Sequence, residues 1–405
     1  MVEAVVVATA RSPIGRAFKG SLASIRADEL TVQMVSAALA KAPGLDPRDI
    51  DDLMLGTGSP AGEGGYNLAR VVAVLLGHDS LPGTTINRYC SSSLQTTRMA
   101  LHAIKAGEGH VFISAGVETV SRFPYGASDG MPDTTNPRFA SAMERTAELS
   151  AGGGEWTDPR ESGALPDVYI AMGQTAENVA QLRGITRAEQ DEFGVRSQNL
   201  AEAAIANGFW ARDITPVMLP DGTVVSTDDG PRAGVTLEAV SSLKPVFRPD
   251  GTITAGNCCP LNDGAAAVVI MSDTKARELG LAPLARVVST AVSGLSPEIM
   301  GLGPVEASSR ALALAGLTIG DIDLVEINEA FAAQVIPSAR ELGVDWDKLN
   351  VNGGAIAIGH PFGMTGARIT STLINSLQFH DKQFGLETMC VGGGQGMAMV
   401  LERLS

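Results

Sequence analysis

Aromatic side chains make up only 4% of this 405-residue chain, so its core must be filled mainly by small aliphatic residues and alanine. Cysteine is rarer still. The 4 thiols are Cys90, Cys258, Cys259 and Cys390, two adjacent and two far apart, which excludes a disulfide framework. No CxxC pair or nearby histidine partner is present, which argues against a zinc site. Basic residues are outnumbered, with 30 Lys plus Arg against 45 Asp plus Glu and a net charge of −15. Such a mean field repels phosphates, so nucleic acid and anionic membranes are excluded as general partners. No apolar run approaches the roughly 18 residues of a transmembrane helix. The start, MVEAVVVATARSPIG, has no basic region before its apolar run and no small-residue cleavage site. It reads as a first buried strand of a cytoplasmic protein with reduced thiols. With 44% apolar residues and 46 glycines, the chain is long enough for two compact domains joined by tight turns.

Short apolar runs alternate with helical patterns, as expected of an α/β fold with buried strands. Strands are predicted at Ala4–Val7, Val111–Ala115, Ala265–Met271, Leu324–Ile327 and Met397–Leu401, and helices at Asp28–Ala42, Leu94–Lys105, Thr186–Asn207 and Ala307–Ala315. Asp28 is expected to cap the first helix. GLDPRDID at 44–51 and GLTIGDID at 316–323 share five of eight residues at an offset of 272. Near the same offset, NRYCSSS (87–93) falls opposite AIGHPFG (357–363), and HVFISAGVE (110–118) opposite TMCVGGGQG (388–396). These pairs predict a duplicated βα unit packed about a pseudo-twofold. Residues 121–250 fit neither copy and are rich in Pro, Gly and Asp, which predicts an insertion looped over the scaffold. The expected boundaries are 1–120 plus 251–277 for the first half, 121–250 for the insertion and 278–405 for the second half.

Three glycine-flanked motifs each offer a reactive side chain. Cys90, in NRYCSSS, precedes a helix whose N–H groups and dipole are expected to lower the thiol pKa, with the serines as caps. His360, in GHPFGMTG, is held among glycines at a strand-to-helix turn, which suits a general base. Cys390, in CVGGGQG, ends a strand beside glycines whose N–H groups can build an oxyanion hole. Asn328, in EINEAF, can hold a water or a substrate oxygen, or serve merely as a helix cap.

Taken in order, RSPIG, NRYCSSS, MGQTAENVA, TAGNCCPLNDGAAA, NEAFA, GHPFGMTGAR and CVGGGQG resemble the thiolase family over essentially the whole chain. The resemblance implies two similar core halves with mixed five-stranded sheets, layered α/β/α/β/α, and a loop domain inserted in the first. It implies CoA-dependent cleavage of a 3-ketoacyl-CoA to acetyl-CoA and a shortened acyl-CoA, reversible as a Claisen condensation and serving fatty-acid β-oxidation. Cys90 would carry the acyl group, His360 would activate it, and Cys390 would shuttle the proton. His360 with a water on Asn328 would form one oxyanion hole, and the N–H groups of Cys90 and Gly392 the other. By the same resemblance Arg232 lies against the adenine end of CoA, and Met172, Met300 and Phe331 line the acyl and pantetheine channel. Cys259 stands where the family commonly has a serine that meets pantetheine, and a thiol is the weaker partner. No metal and no permanently bound cofactor are implied. CoA thioesters are the expected ligands, a homodimer or homotetramer the expected assembly, and a partner β-oxidation subunit is compatible with it. Ala171 replaces the histidine that precedes this methionine in short-chain biosynthetic members, which favours longer chains over the alternative, acetoacetyl-CoA thiolase. A ketoacyl synthase would pair its cysteine with His/His or His/Asn. A non-catalytic acyl-CoA-binding relative would have lost a catalytic residue, and a cysteine hydrolase would leave the motif set to coincidence.

Overall fold

The computed structural model describes residues 2–125 and 134–405. Residues 126–133, inside the expected insertion, lie outside that range. The apolar runs become strands of one large mixed sheet: β1 (Ala4–Arg11), the short β2 (Gly15–Arg16), β3 (Asp52–Gly56), β4 (Gly83–Ile86) and β5 (Val111–Thr119) come first. β6 (Val217–Met218) and β7 (Val224–Val225) form a separate ladder. The large sheet is completed by β8 (Asn262–Ser272), β9 (Ala285–Gly294), β10 (Leu324–Ile327), β11 (Phe384–Val391) and β12 (Gln395–Arg403). Its order is β10-β11-β12-β9-β1-β8-β5-β3-β4, with β2 on β8.

That order is a duplication. Read outward from the junction of β1 with β9, the first half runs β1, β8, β5, β3, β4 and the second runs β9, β12, β11, β10. β3–β5 and β10–β11 are the matching parallel pairs. Where the first half has β4, the second keeps only a parallel bridge between Val325 and Leu349, so its sheet has four strands and a remnant instead of five. The match of HVFISAGVE with TMCVGGGQG pairs the correct strands but is slipped. At the offset of 272 shared by the two GL…DID copies, Glu118 falls opposite Cys390.

Alternation along the strands separates the layers. Ala4 and Val6 of β1, with Ala266, Val268 and Ile270 of β8, join a central cluster; Val5, Val7, Ala265, Ala267 and Val269 point the other way into an outer one. The central cluster also holds Leu94 and Leu101 of the helix Ser92–Ala106, and Met364, Ile369 and Leu373 of the helix Phe362–Phe379. These two inner helices lie between the halves. The helix Ala27–Ala40 covers the first half, and Gly303–Ala315 the second. Both faces of β1 and β8 are therefore covered, which is why all of their residues are buried and read as continuous apolar runs.

The inner helices touch through Gly366, where a Cβ would stand 2.1 Å from the backbone N of Leu94. Only glycine permits that approach. Ser93 Oγ accepts the Ala367 N–H at 2.9 Å beside it. Between β5 and β8 the chain leaves the large sheet and forms the helices Ala140–Ser150, Met172–Arg183 and Arg187–Ala206. The last carries the predicted start, with Thr186 and Glu189 in a capping box. Arg11, fully buried, ties this region to β1 through Asp213 at 2.9 Å and Asp228 at 2.5 Å. Asp28 is not a cap: Arg26 occupies that position, and Asp28 pairs with it in the first turn.

Candidate active site

The four motifs converge where the inner helices begin and β10 and β11 end. Cys90 sits in a single 3-10 turn, Tyr89–Ser91, directly before its helix. None of the serines caps that helix end through its side chain. Ser92 Oγ instead accepts the Arg88 N–H at 2.9 Å and donates to the Tyr89 carbonyl at 2.6 Å, so it fixes the nucleophile turn. Tyr89 is left-handed at φ +43°, and its ring lies over Gly392, whose Cβ would be 3.2 Å from Tyr89 Cγ. Strain beside a reactive residue marks a conformation imposed by its surroundings. Arg88 Nη1 reaches Gln395 Oε1 at 2.7 Å, and Gln395 Nε2 returns to the Gly392 carbonyl at 3.2 Å. The two cysteine turns are thereby clamped together.

The expected low pKa of Cys90 is corrected by its burial. Loss of solvent pushes the thiol up to about 11, outweighing the N–H groups of Gly392 and of Cys90 itself, which pull it down. The resting group is a thiol, and its proton must be taken by a neighbour. Those two backbone N–H groups favour negative charge on the Cys90 sulfur.

His360 is neutral: burial first, and Arg368 second, push it down to about 3. Its Nδ1 lies 2.6 Å from Thr365 Oγ1, and that hydroxyl spends its one proton on the Pro361 carbonyl at 2.7 Å. In that arrangement Thr365 accepts from Nδ1–H, which puts the basic lone pair on Nε2, facing the Asn328 amide at 3.3 Å. The backbone N–H of His360 donates to Asn262 Oδ1 at 2.9 Å. Gly359 before it has φ +112°, and a Cβ there would meet Asn262 at 2.7 Å. Asn328 Nδ2 stands 3.4 and 3.3 Å from the two ring nitrogens, while its Oδ1 is buried without a partner. Asn328 caps nothing, since Phe331 holds the N-cap position of the next helix. Cys390 is completely buried, and desolvation, with Cys90 nearby, holds its thiol well above the ordinary range.

A buried thiol with backbone N–H groups beside its sulfur, a neutral histidine and a second, protonated thiol suit acyl transfer coupled to proton transfer at carbon. The thiolase N-terminal domain matches residues 4–274, and the thiolase C-terminal domain residues 281–403. The chain belongs to the thiolase family. It is 44% identical to a 3-ketoacyl-CoA thiolase of Bacillus subtilis (strain 168), over 99% of this chain and all of that one. It is also 44% identical to an acetyl-CoA acetyltransferase of Cupriavidus necator, over the full length of both. The crystal structure of the Bacillus anthracis acetyl-CoA acetyltransferase superposes with TM-score 0.87 at 39% identity, covering 100% of this chain and 99% of that one. The family is one of acyltransferases acting on CoA thioesters.

Around the three reactive groups, Met300 and Phe331 are buried in one apolar cluster with Cys390, and Met172, Phe247, Cys258 and Cys259 pack against it. Phe247 meets Phe331 edge-on at 6.2 Å. Cys259 donates its N–H to the Ala330 carbonyl at 3.0 Å, and burial first, then Cys258, Cys90 and Cys390 nearby, hold its thiol well above the ordinary range. Arg232 stands apart and is exposed, with its backbone N–H on Gln198 Oε1 at 3.0 Å. Sequence reasoning missed Thr365, Asn262, Tyr89 and Gln395. Thr365 had a signal, five positions after His360 in the first turn of a helix. Among the described residues, no group of three or more His, Cys, Asp or Glu side chains is placed to hold a metal ion, and no helix is long and apolar enough to cross a membrane.

Proposed function

We propose that this chain cleaves 3-ketoacyl-CoA with CoA, giving acetyl-CoA and an acyl-CoA two carbons shorter, and that it runs the same Claisen chemistry in reverse. The observation that supports this reading is that the turn holding Cys90, with the Gly392 N–H beside its sulfur, packs against the helix Phe362–Phe379, which begins two residues after a neutral His360. Cys90 Sγ attacks the 3-keto carbon as its proton passes to His360 Nε2. The bond between the second and third carbons then breaks, leaving the acyl group on Cys90 and acetyl-CoA as an enolate. Cys390 supplies the proton that turns the enolate carbon into a methyl group, a role supported by the raised pKa that keeps its thiol protonated. The proton on His360 then restores the Cys390 thiolate to a thiol, and acetyl-CoA leaves. A second CoA enters, its thiol gives its proton to His360 as its sulfur attacks the acyl group, and His360 returns that proton to the Cys90 sulfur as the acyl group departs. Asn328, with its unpartnered Oδ1, holds a water that completes the second oxyanion hole with His360.

Met172, Met300 and Phe331 line the acyl and pantetheine channel beside Cys259, and Arg232 takes the adenine end of CoA at the surface. The physiological direction is degradative, within fatty-acid β-oxidation in the cytoplasm, by a homo-oligomer needing no permanent cofactor. Ala171 supports longer substrates: it is exposed at the start of the helix Met172–Arg183, where an imidazole would fill space. Each methylene buried there is worth about 0.8 kcal/mol, or roughly fourfold in affinity. The short-chain alternative is favoured by the acetyl-CoA acetyltransferase relative at 44% identity. The discriminating test is kcat/KM over 3-ketoacyl-CoAs of increasing length. Values that hold or rise beyond the four-carbon substrate support the degradative reading, and a steep fall there makes the chain an acetoacetyl-CoA thiolase.

A further inference from the structure

Glu118, near the end of β5, is 2% exposed and has no part in the chemistry above. Its Oε2 accepts the N–H groups of Gly58 at 2.7 Å and Gly363 at 2.8 Å. Its Oε1 accepts the Ser59 N–H at 3.2 Å and the Thr57 hydroxyl at 3.3 Å. Residues 57–59 follow β3 in the first half, whereas Gly363 opens an inner helix in the second, three residues after His360. One buried carboxylate therefore fastens the base-bearing loop to the opposite half of the molecule. The seam it fastens is packed backbone on backbone: a Cβ on Gly363 would fall 2.3 Å from the Val117 carbonyl oxygen and 2.6 Å from Thr57 Cα. Glu118 is also the counterpart of Cys390, at the corresponding end of the duplicated strand. The pseudo-twofold thus sets a proton-carrying thiol at one strand end and a carboxylate at the other.

We propose that Glu118 is a positioning residue that holds the His360 loop in register with Cys90 by bridging the turn after β3 to the first turn of the helix Phe362–Phe379. Its staple is switchable. Burial pushes the carboxyl up to about 7 against the four hydrogen bonds it accepts, and a protonated carboxyl accepts fewer of them. The titratable groups facing it are Cys90 on the turn before the inner helix, and Glu63 and Arg122 across a cavity of about 20 Å³ lined also by Thr57 and Ser59, room for one water. A displacement of about 1 Å at a reacting group costs up to roughly 10²-fold in rate.

The inference rests on Cys90 and His360 being catalytic, so its test separates the two. Single-turnover acylation of Cys90 by acetyl-CoA is followed by intact mass from about pH 6 to about pH 8 for the wild type, Glu118→Gln and Glu118→Asp, with KM for acetyl-CoA measured alongside. The wild-type rate should fall as pH drops through about 7. Glu118→Gln should be slowed about tenfold or more, lose that pH dependence and keep KM within about twofold. Glu118→Asp, shorter by one methylene, should be slowed less and retain the pH dependence. A wild-type rate that is flat over this range overturns the proposal without any variant, as does a Gln variant with the wild-type rate or the wild-type profile. A wild type that is never acylated at Cys90 overturns the catalytic reading instead.

Discussion

Replacing Thr365 by valine removes one hydroxyl from a fully buried site and keeps its shape. That hydroxyl is the acceptor for His360 Nδ1–H at 2.6 Å, and its own proton is committed to Pro361. Without it, Nδ1–H is a buried donor with no partner, a cost of about 1–3 kcal/mol. The ring avoids that cost by moving its proton to Nε2, the nitrogen that receives the proton of Cys90 in the proposed mechanism. Asn328 cannot oppose the change, because its amide nitrogen is nearly equidistant from both ring nitrogens. The stabilisation lost from the productive tautomer therefore appears as lost rate, and at about 1.4 kcal/mol per decade kcat should fall roughly 5- to 150-fold. The loss should be uniform across neutral pH, because burial holds His360 near 3, far below that range. Thr365→Ser, which keeps the hydroxyl, should retain most of the activity. The assay is steady-state thiolysis with a thermal melt on each variant, supported by the nitrogen-15 shifts of the imidazole in the free wild type. A folded Thr365→Val enzyme with wild-type kcat, or wild-type shifts showing the proton on Nε2, would refute the tautomer argument.

Three further changes probe neighbouring parts of the site. Cys390→Ser should still be acylated at Cys90 yet lose exchange of the acetyl-CoA methyl protons with solvent by about 10²-fold or more; normal exchange would remove Cys390 from its role. Cys259→Ser supplies the stronger hydrogen-bonding hydroxyl and should lower KM for CoA by a few-fold, corresponding to about 0.5–1.5 kcal/mol; an unchanged KM would mean that this side chain does not meet the pantetheine. Gly366→Ala forces a methyl group to 2.1 Å from Leu94 N, so the inner helices must separate at a cost of about 1–3 kcal/mol. An unaltered melting temperature would show that the inner helices are not locked there.

The legible part of the fold was its periodicity. Strands such as AVVVATAR and NDGAAAVVIMS announce themselves because both faces are buried, and the 272-residue offset announces the duplication because turn residues recur. The slip between β5 and β11 came from aligning the glycines of CVGGGQG, which lie beyond the strand end, rather than the strands themselves. Asp28 misled because a polar residue one step inside a helix resembles a cap. The helix Gly303–Ala315 begins four residues before its apolar periodicity does, on a Gly-Pro start that carries no hydrophobic signal. At the site, Cys90, His360 and Cys390, the groups proposed to react, stand out because cysteine and histidine in glycine-rich turns are conspicuous. Their pKa values do not, because helix ends are visible in a sequence and desolvation is not. Thr365 and Glu118 were missed for a related reason: each works through partners distant in the chain or through backbone groups, which no local pattern encodes.

The most direct test of the account is the identity of the acylated residue. Full-length protein is incubated with acetyl-CoA, quenched in acid and examined by intact mass and peptide mapping. One acetyl group should be found, on Cys90, and Cys90→Ala should neither be acylated nor turn over. Acetylation mapping to Cys259, with Cys90→Ala still active, would contradict the mechanism at its root.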